Sequence, residues 1–252
     1  MSSFYPKNDR ERIDLSIVIP AYNEERRLPR SLESVSKYLQ QQNYTYEVIV
    51  VDDGSADRTS TVVKNFQKDY PQLQLIRLPK NRGKGFCVRT GILESKGYFV
   101  IFTDADLATP IKEVEKILPH LDKGFDVVIG SRRHADSKIV KPQNWLRRQI
   151  GRAYNQMNRW LGIRGVEDVP CGFKGFRREA AEKIFSATKL DGYIFDAEVL
   201  YLTQNIYNLR WKQVPIEWEN FPGSKINLLR DPIIMTLDLF KIKLYDLRGL
   251  YK

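Results

Sequence analysis

Five short runs of branched and aromatic residues, each closed by polar residues, constrain the fold of this chain more than any other feature. The runs are LSIVIP from Leu15, YEVIVV from Tyr46, LQLIRL from Leu73, YFVIFT from Tyr98 and DVVIGS from Asp126. They are largely solid apolar runs, the pattern of strands buried on both faces. Helical spacings separate them: Leu28, Leu32, Val35 and Leu39 after the first, Val62, Val63 and Phe66 after the second, and a stretch through Val88 to Ser95 after the third. Strand and helix in alternation predict an α/β chain with a mostly parallel sheet covered on both faces. At 252 residues the chain can bury a sizeable core in one large domain, or divide into two smaller ones.

The polar punctuation falls at the carboxyl ends of the strands, where open α/β sheets bind their ligands. YFVIFT runs straight into DADL, so Asp104 and Asp106 sit at a sheet edge. Residues i and i+2 of an extended segment point the same way, so both carboxylates can face one divalent cation, Mg²⁺ or Mn²⁺, which prefers oxygen ligands. Thr109 and Pro110 just beyond read as a helix cap and first helical position, which would make the same segment an ordinary polar loop. The first turn, PAYNEE, has no glycine, and Gly83 and Gly85 follow the third strand without the third glycine of a dinucleotide fingerprint. A nucleotide would therefore be held by carboxylates and a ring. Tyr22, after Pro20, can flank a base, and Glu24, Asp52 and Asp53 can accept hydrogen bonds from base N–H groups or ribose hydroxyls.

Composition narrows the partners. A net charge of +10 and an isoelectric point near 9.5 call for something anionic: nucleic acid, a membrane surface or a phosphorylated substrate. Cys87 and Cys171, far apart and in apolar surroundings, read as free buried thiols of a reducing compartment. The first fourteen residues are polar, with no apolar signal core, and no window approaches the ~20 apolar residues of a membrane span. The expectation is a cytoplasmic protein, at most peripheral to a membrane.

VIPAYNEE, VVDDGSADRT, NRGKGFCVRTG, DADL, GSRR, DVPCGFKGF and a late GSK, taken in order, resemble the inverting family-2 glycosyltransferases. The run from NRGKG through FDAEVLYL to GSKI is most similar to the dolichyl- or polyprenyl-phosphate β-glucosyltransferases, with the dolichyl-phosphate mannose synthases next. The resemblance covers roughly residues 15 to 229. It implies the type A glycosyltransferase (Rossmann-like) fold, a nucleotide-sugar donor such as UDP-glucose, and a cation on Asp104 and Asp106. Where the mannose synthases carry Gln two residues after the second Asp, this chain has Ala108, so a third protein ligand is missing there. Departure of a nucleoside diphosphate needs neutralising charge, which the metal supplies with Lys84 of the Gly-flanked loop. The resemblance places Asp168 near the reaction centre, in an orienting or base role, with Glu198 of FDAEVLY as an alternative base. Both Glu198 and Asp196 can equally be read as helix residues bonded to a neighbouring loop.

A polyprenyl or dolichyl phosphate acceptor is largely dianionic near pH 7 and needs positioning more than deprotonation. Arg132 and Arg133 of GSRR, with Ser224 and Lys225 of GSKI, are the residues expected to hold it. Between Arg132 and Arg164 nine Lys or Arg residues face one acid, Asp136. The apolar series Leu146, Ile150, Ala153, Met157 and Trp160 runs among Arg147, Arg148, Arg152 and Arg159, the composition of a helix lying in a membrane interface. The last segment, 232–252, carries two apolar stripes, Ile233, Leu237, Phe240, Leu244 and Leu247 on one face and Met235, Leu239 and Ile242 on another. One would meet the catalytic domain (15–231), the other lipid or a second copy of the chain in a homo-oligomer. A GDP-mannose-dependent synthase, or a transferase acting on a soluble acceptor, is the same-fold alternative. A non-catalytic binder of nucleic acid or anionic surfaces is the alternative of another class, and the motifs standing in family order argue against it.

Overall fold

The structure, a computed structural model, describes residues 13–141, 145–220 and 231–251. In chain order the elements are β1 (Leu15–Ala21), α1 (Leu28–Leu39), β2 (Tyr46–Asp52), α2 (Thr59–Gln67), β3 (Leu73–Arg77), α3 (Lys84–Glu94), β4 (Phe99–Thr103), α4 (Val114–Asp122) and β5 (Val127–Ser131). There follow β6 (Lys138–Lys141), α5 (Trp145–Leu161), β7 (Phe173–Arg177), α6 (Arg178–Ala187), α7 (Phe195–Tyr201), β8 (Trp211–Pro215), β9 (Glu217–Glu219) and α8 (Asp231–Leu247). The five apolar runs are β1 to β5. Thr109 does not cap a helix: Pro110 is extended, a 3₁₀ turn follows over Ile111–Glu113, and α4 begins only at Val114.

Seven strands form one sheet in the order β3-β2-β1-β4-β7-β5-β8, and β6 pairs with β9 in a small second sheet. The large sheet is parallel except for β7, which runs antiparallel between β4 and β5. This one reversed strand matters to the site. The register sets Ala21 beside Asp52 and Phe173 beside Thr103. The carboxyl ends of β1, β2, β4 and β5 therefore share an edge with the beginning of β7, and the 168–172 segment is delivered to that edge.

Side chains alternate across the sheet into two cores. Ile17, Ile19, Val48, Val50 and Ile101 pack with Leu28, Leu32 and Val35 of α1 and Ile117 and Leu121 of α4. Val18, Val100 and Phe102 pack with Val88 and Ile92 of α3, Ile184 and Phe185 of α6 and Val199 and Leu200 of α7. Leu239 and Ile242 of α8, and Tyr251 beyond it, lie in this second core.

Two helices depart from their expected faces in instructive ways. On α5 the inward side is Tyr154, Met157, Asn158 and Leu161, while Ala153 is exposed and Trp160 is 80% exposed. Polarity misled the reading, because Asn155 and Asn158 are buried and use their amides on the carbonyls of Glu167 and Tyr154. On α8 Leu239 and Ile242 are buried and Met235 is half-buried, while Leu237, Phe240, Leu244 and Leu247 are exposed. The side chains of Leu146, Arg147, Arg148, Ile150 and Ile233 lie outside the described residues.

Candidate active site

A cleft of about 490 Å³ opens at the shared edge. Its floor is built by fastening the turn after β1 to the turn after β2. Asn23, in a left-handed conformation with φ of 50°, donates its N–H to Ser55 Oγ at 2.8 Å and accepts from Ala56 N at 2.9 Å through its Oδ1. The Glu24 N–H reaches Thr59 Oγ1 at 2.7 Å. Pro20, Tyr22 and Glu24 line the cleft from this platform, and Tyr22 is 36% exposed.

The two carboxylates at the end of β2 part company, since neighbouring residues of an extended chain point opposite ways. Asp52 does not line the cleft. It has no exposed surface and closes its own turn, accepting from Ser55 N at 2.9 Å and from the Ser60 hydroxyl. Asp53 lines the cleft but spends both oxygens on backbone, accepting from Arg82 N at 2.7 Å and Gly83 N at 2.9 Å. Of these two expected donor contacts, one is a turn residue and the other a tether for the loop that carries Lys84.

Asp104 and Asp106 both reach the cleft, and each is met by a cation. Lys84 Nζ lies 2.6 Å from Asp104 Oδ1, and Arg27 Nη1 lies 3.5 Å from Asp106 Oδ2 while its Nε and Nη2 hold Glu24 at 2.7 and 2.5 Å. Burial, with Asp104 alongside, pushes the Asp106 carboxyl above the usual range. Burial works against the Lys84 charge, yet Asp104, Asp196 and Asp106 more than offset it and hold the ammonium protonated. The donor set fits a hard cation: two oxygen ligands aimed into one space that already attracts positive charge. Gly172 keeps that space open, because a Cβ there would lie 2.1 Å from Asp104 Oδ2. Among the described residues there is no cluster of three or more His, Cys, Asp or Glu placed to hold a metal, so the pair would need ligands from elsewhere.

Arg132, Asp196 and Trp218 also line the cleft. Arg132 is held by Asp168 through three hydrogen bonds, from N at 2.8 Å, Nε at 2.7 Å and Nη2 at 2.7 Å. Asp168 has no exposed surface and does not line the cleft. Burial alone would raise its carboxyl, but the Arg132 guanidinium holds it below the ordinary range. Of the two roles read for it, this geometry supports orientation of Arg132. Cys171 beside it is a buried free thiol pushed up to about 12 by burial and Asp168. Asp196 is paired with Lys174, which is wholly buried and also donates to the carbonyls of Val169 and Cys171. Glu198 faces away from the cleft and accepts from Lys189 N, Leu190 N and the Tyr251 hydroxyl, so its neighbours are structural.

Arg133 points elsewhere. It lines a separate hollow with Arg152, Asn155, Arg159 and Glu167 against α5, so the two arginines of GSRR do not share one phosphate site. Ser224 and Lys225 lie outside the described residues. Arg27 and Lys174 were missed by sequence reasoning. The i,i+3 pairing of Glu24 with Arg27 was a signal for the first; a lysine between Phe173 and Phe176 was one for the second.

A Rossmann-like sheet whose strand ends present an Asp-Ala-Asp pair beside a Gly-flanked lysine defines a nucleotide-sugar transferase. The glycosyl transferase family 2 pattern matches residues 16–185, and the chain belongs to that family and is a glycosyltransferase. Within the family it is 36% identical over 258 residues to a dolichyl-phosphate β-glucosyltransferase of Dictyostelium discoideum, covering 98% of this chain and 79% of that one. It is 35% identical to the enzymes of the same description from Homo sapiens (94% and 77% covered) and Saccharomyces cerevisiae (97% and 78%). In fold it is similar to glucosyl-3-phosphoglycerate synthase of Mycobacterium tuberculosis solved with UDP, with a TM-score of 0.68, 20% identity and coverage of 92% and 79%. The same synthase solved with Mn²⁺, UDP-glucose and phosphoglyceric acid gives a TM-score of 0.68 at 19% identity, again covering 92% and 79%.

Proposed function

We propose that the chain transfers glucose from UDP-glucose to dolichyl or polyprenyl phosphate with inversion at the anomeric carbon. The relatives' descriptions support the sugar and the lipid, and one feature of the cleft supports a phosphate nucleophile in particular. Five carboxylates line the cleft among the described residues, and each is engaged: Glu24 and Asp106 by Arg27, Asp53 by backbone N–H groups, Asp104 by Lys84, and Asp196 by Lys174. None is left over as a general base. A hydroxyl acceptor would need one; a phosphate dianion does not.

The roles follow from the walls. Tyr22 and Glu24 receive the nucleoside part of the donor, and Lys84 faces its diphosphate. Asp104 and Asp106 would hold Mg²⁺ or Mn²⁺, the rest of its ligands coming from outside this pair. When bound, that ion acts as a Lewis acid toward the departing diphosphate. Arg132, fixed by Asp168, orients the acceptor phosphate. An oxygen of that phosphate forms the new bond to the sugar's C1 as the bond from C1 to the diphosphate breaks, and UDP leaves with the electron pair. No proton has to move. Arg133 has no part in this scheme, and Lys225 stays assigned to the acceptor phosphate by its motif.

The lipid is met at the surface of α5 and α8, where Trp160, Leu237, Phe240, Leu244 and Leu247 are exposed. Among the described residues no helix is long and apolar enough to cross a membrane. The test is a split in kinetic constants. Arg132→Ala raises the KM for dolichyl phosphate by more than that for UDP-glucose. A loss confined to donor affinity would move Arg132 to the donor side and remove the basis of the acceptor assignment.

A further inference from the structure

Lys84 is the first residue of α3, and the loop that presents it is gripped from two sides. Asp53 takes the N–H groups of Arg82 and Gly83 on one side. On the other lies the 189–192 segment, pressed backbone to backbone against the loop. Phe86 N donates to Asp191 O at 3.1 Å. Gly83, at φ of 105°, has room for no side chain: a Cβ would lie 2.5 Å from Asp191 O, and one on Gly85 would lie 2.7 Å from Leu190 O. The position of 189–192 therefore sets the position of Lys84. The same segment continues into Gly192 and Tyr193, which line the cleft.

What holds 189–192 is a second set of contacts, made by side chains that do not themselves line the cleft. Asp191 is clamped by Arg82 at 3.0 Å and Arg89 at 2.6 Å. Glu198, with no exposed surface, accepts from Lys189 N at 2.8 Å and Leu190 N at 2.9 Å. Its third donor is the hydroxyl of Tyr251 at 2.6 Å. Tyr251 is brought back into the core by a turn after α8, in which Gly249 adopts φ of 68° and Leu250 N reaches Tyr245 O at 3.0 Å. Its ring packs edge-on against Tyr245, so a phenylalanine would fill the same space, and the hydroxyl is there for Glu198.

We propose that Tyr251 is a positioning residue for transfer: through Glu198 it fixes the 189–192 segment against the Gly83–Gly85 loop, and so sets how Lys84 meets the donor's diphosphate. The proposal rests on the assignment of Lys84 to that diphosphate. It also ties the donor cleft to α8, the helix whose outer face is exposed and apolar. A conventional reading would leave Tyr251 as packing at the end of a helix. Packing alone predicts a lower melting temperature and unchanged kinetic constants at temperatures where the protein stays folded.

The test uses the full chain at 25 °C, with thermal unfolding followed in parallel. Tyr251→Phe raises the KM for UDP-glucose about threefold to tenfold, a part of the more than tenfold that one hydrogen bond to a carboxylate is worth, because the segment keeps its other contacts. The KM for dolichyl phosphate stays unchanged, and in a Lys84→Ala background the same substitution adds no further rise. Asp191→Asn, which loosens the segment from its other side and leaves Tyr251 intact, gives the same pattern and serves if the first variant does not fold. Hydrogen exchange at the Leu190 amide speeds up in both. A donor KM unchanged in Tyr251→Phe, or an effect that multiplies with that of Lys84→Ala, overturns the proposal while leaving Lys84 in place. A donor KM unchanged in Lys84→Ala itself overturns the diphosphate assignment, and the proposal with it.

Discussion

Replacing Asp168 by asparagine separates two roles that sequence cannot tell apart. The carboxylate is wholly buried and takes three hydrogen bonds of 2.7–2.8 Å from Arg132, which is itself 19% exposed toward the cleft. Removing one partner of a buried ion pair costs about 3–5 kcal/mol; because Arg132 opens onto the cleft and water can reach it, about 3 kcal/mol is expected here. For a chain of this size each kcal/mol lowers Tm by about 2–4 °C, so Asp168→Asn melts about 6–12 °C lower. The converse variant, Arg132→Ala, strands a charge with no exposed surface and destabilises more. The sign with pH follows from the depressed carboxyl: the pair's contribution is complete above the unfolded-state value of about 4 and is lost as pH falls through the lower folded one. The assay is thermal unfolding at pH 7 alongside KM for both substrates, and an acceptor KM raised about tenfold accompanies the lower Tm if Arg132 is the group being held. An Asp168→Asn protein with unchanged Tm and both KM values intact but no turnover would refute this reasoning and restore Asp168 as a base.

Other outcomes are expected with it. Excess EDTA abolishes turnover, and Asp106→Ala does the same while the protein melts within a few degrees of the parent, because that side chain faces the cleft and not the core; turnover that persists in EDTA would remove the metal. Mn²⁺ affinity, read by calorimetry, weakens by up to about tenfold per pH unit as pH falls below the raised Asp106 value, since the ion must displace its proton. Leu237→Asp with Phe240→Asp lowers partition onto anionic vesicles by removing about 1–2 kcal/mol of apolar burial at each position; an unchanged partition, or a dimer in the parent that the double variant dissociates, would give the exposed face of α8 to a second copy of the chain.

The strands were legible because solid apolar runs leave a buried parallel sheet little alternative, and the carboxylate pair was legible because it ends one of them. β7 was not, since Phe-Lys-Gly-Phe-Arg carries two cations; the wholly buried Lys174 is tolerated only because Asp196 and two carbonyls receive it. One paired assignment failed for a reason that sequence did contain: in extended backbone adjacent side chains diverge, so Asp52 at the end of β2 could not join Asp53 in the cleft. Arg132 and Arg133 separate in the bend beyond β5, whose path the sequence pattern does not announce. The inward face of α5 was hidden by buried asparagines that satisfy themselves on backbone carbonyls, a contact that spacing alone does not announce. The truncation that the outer stripe of α8 invites is also unsafe, because its inner face carries Leu239 and Ile242 into the core.

The most direct measurement is transfer of labelled sugar to a lipid phosphate. The purified chain, with Mg²⁺ and vesicles containing dolichyl phosphate, is offered UDP-glucose or GDP-mannose, and lipid-extractable label is counted against dolichol and a soluble hydroxyl acceptor. The account predicts label from UDP-glucose only, on dolichyl phosphate only, with the β configuration at the anomeric carbon. Label carried preferentially from GDP-mannose, or placed on dolichol or on the soluble acceptor, would contradict it.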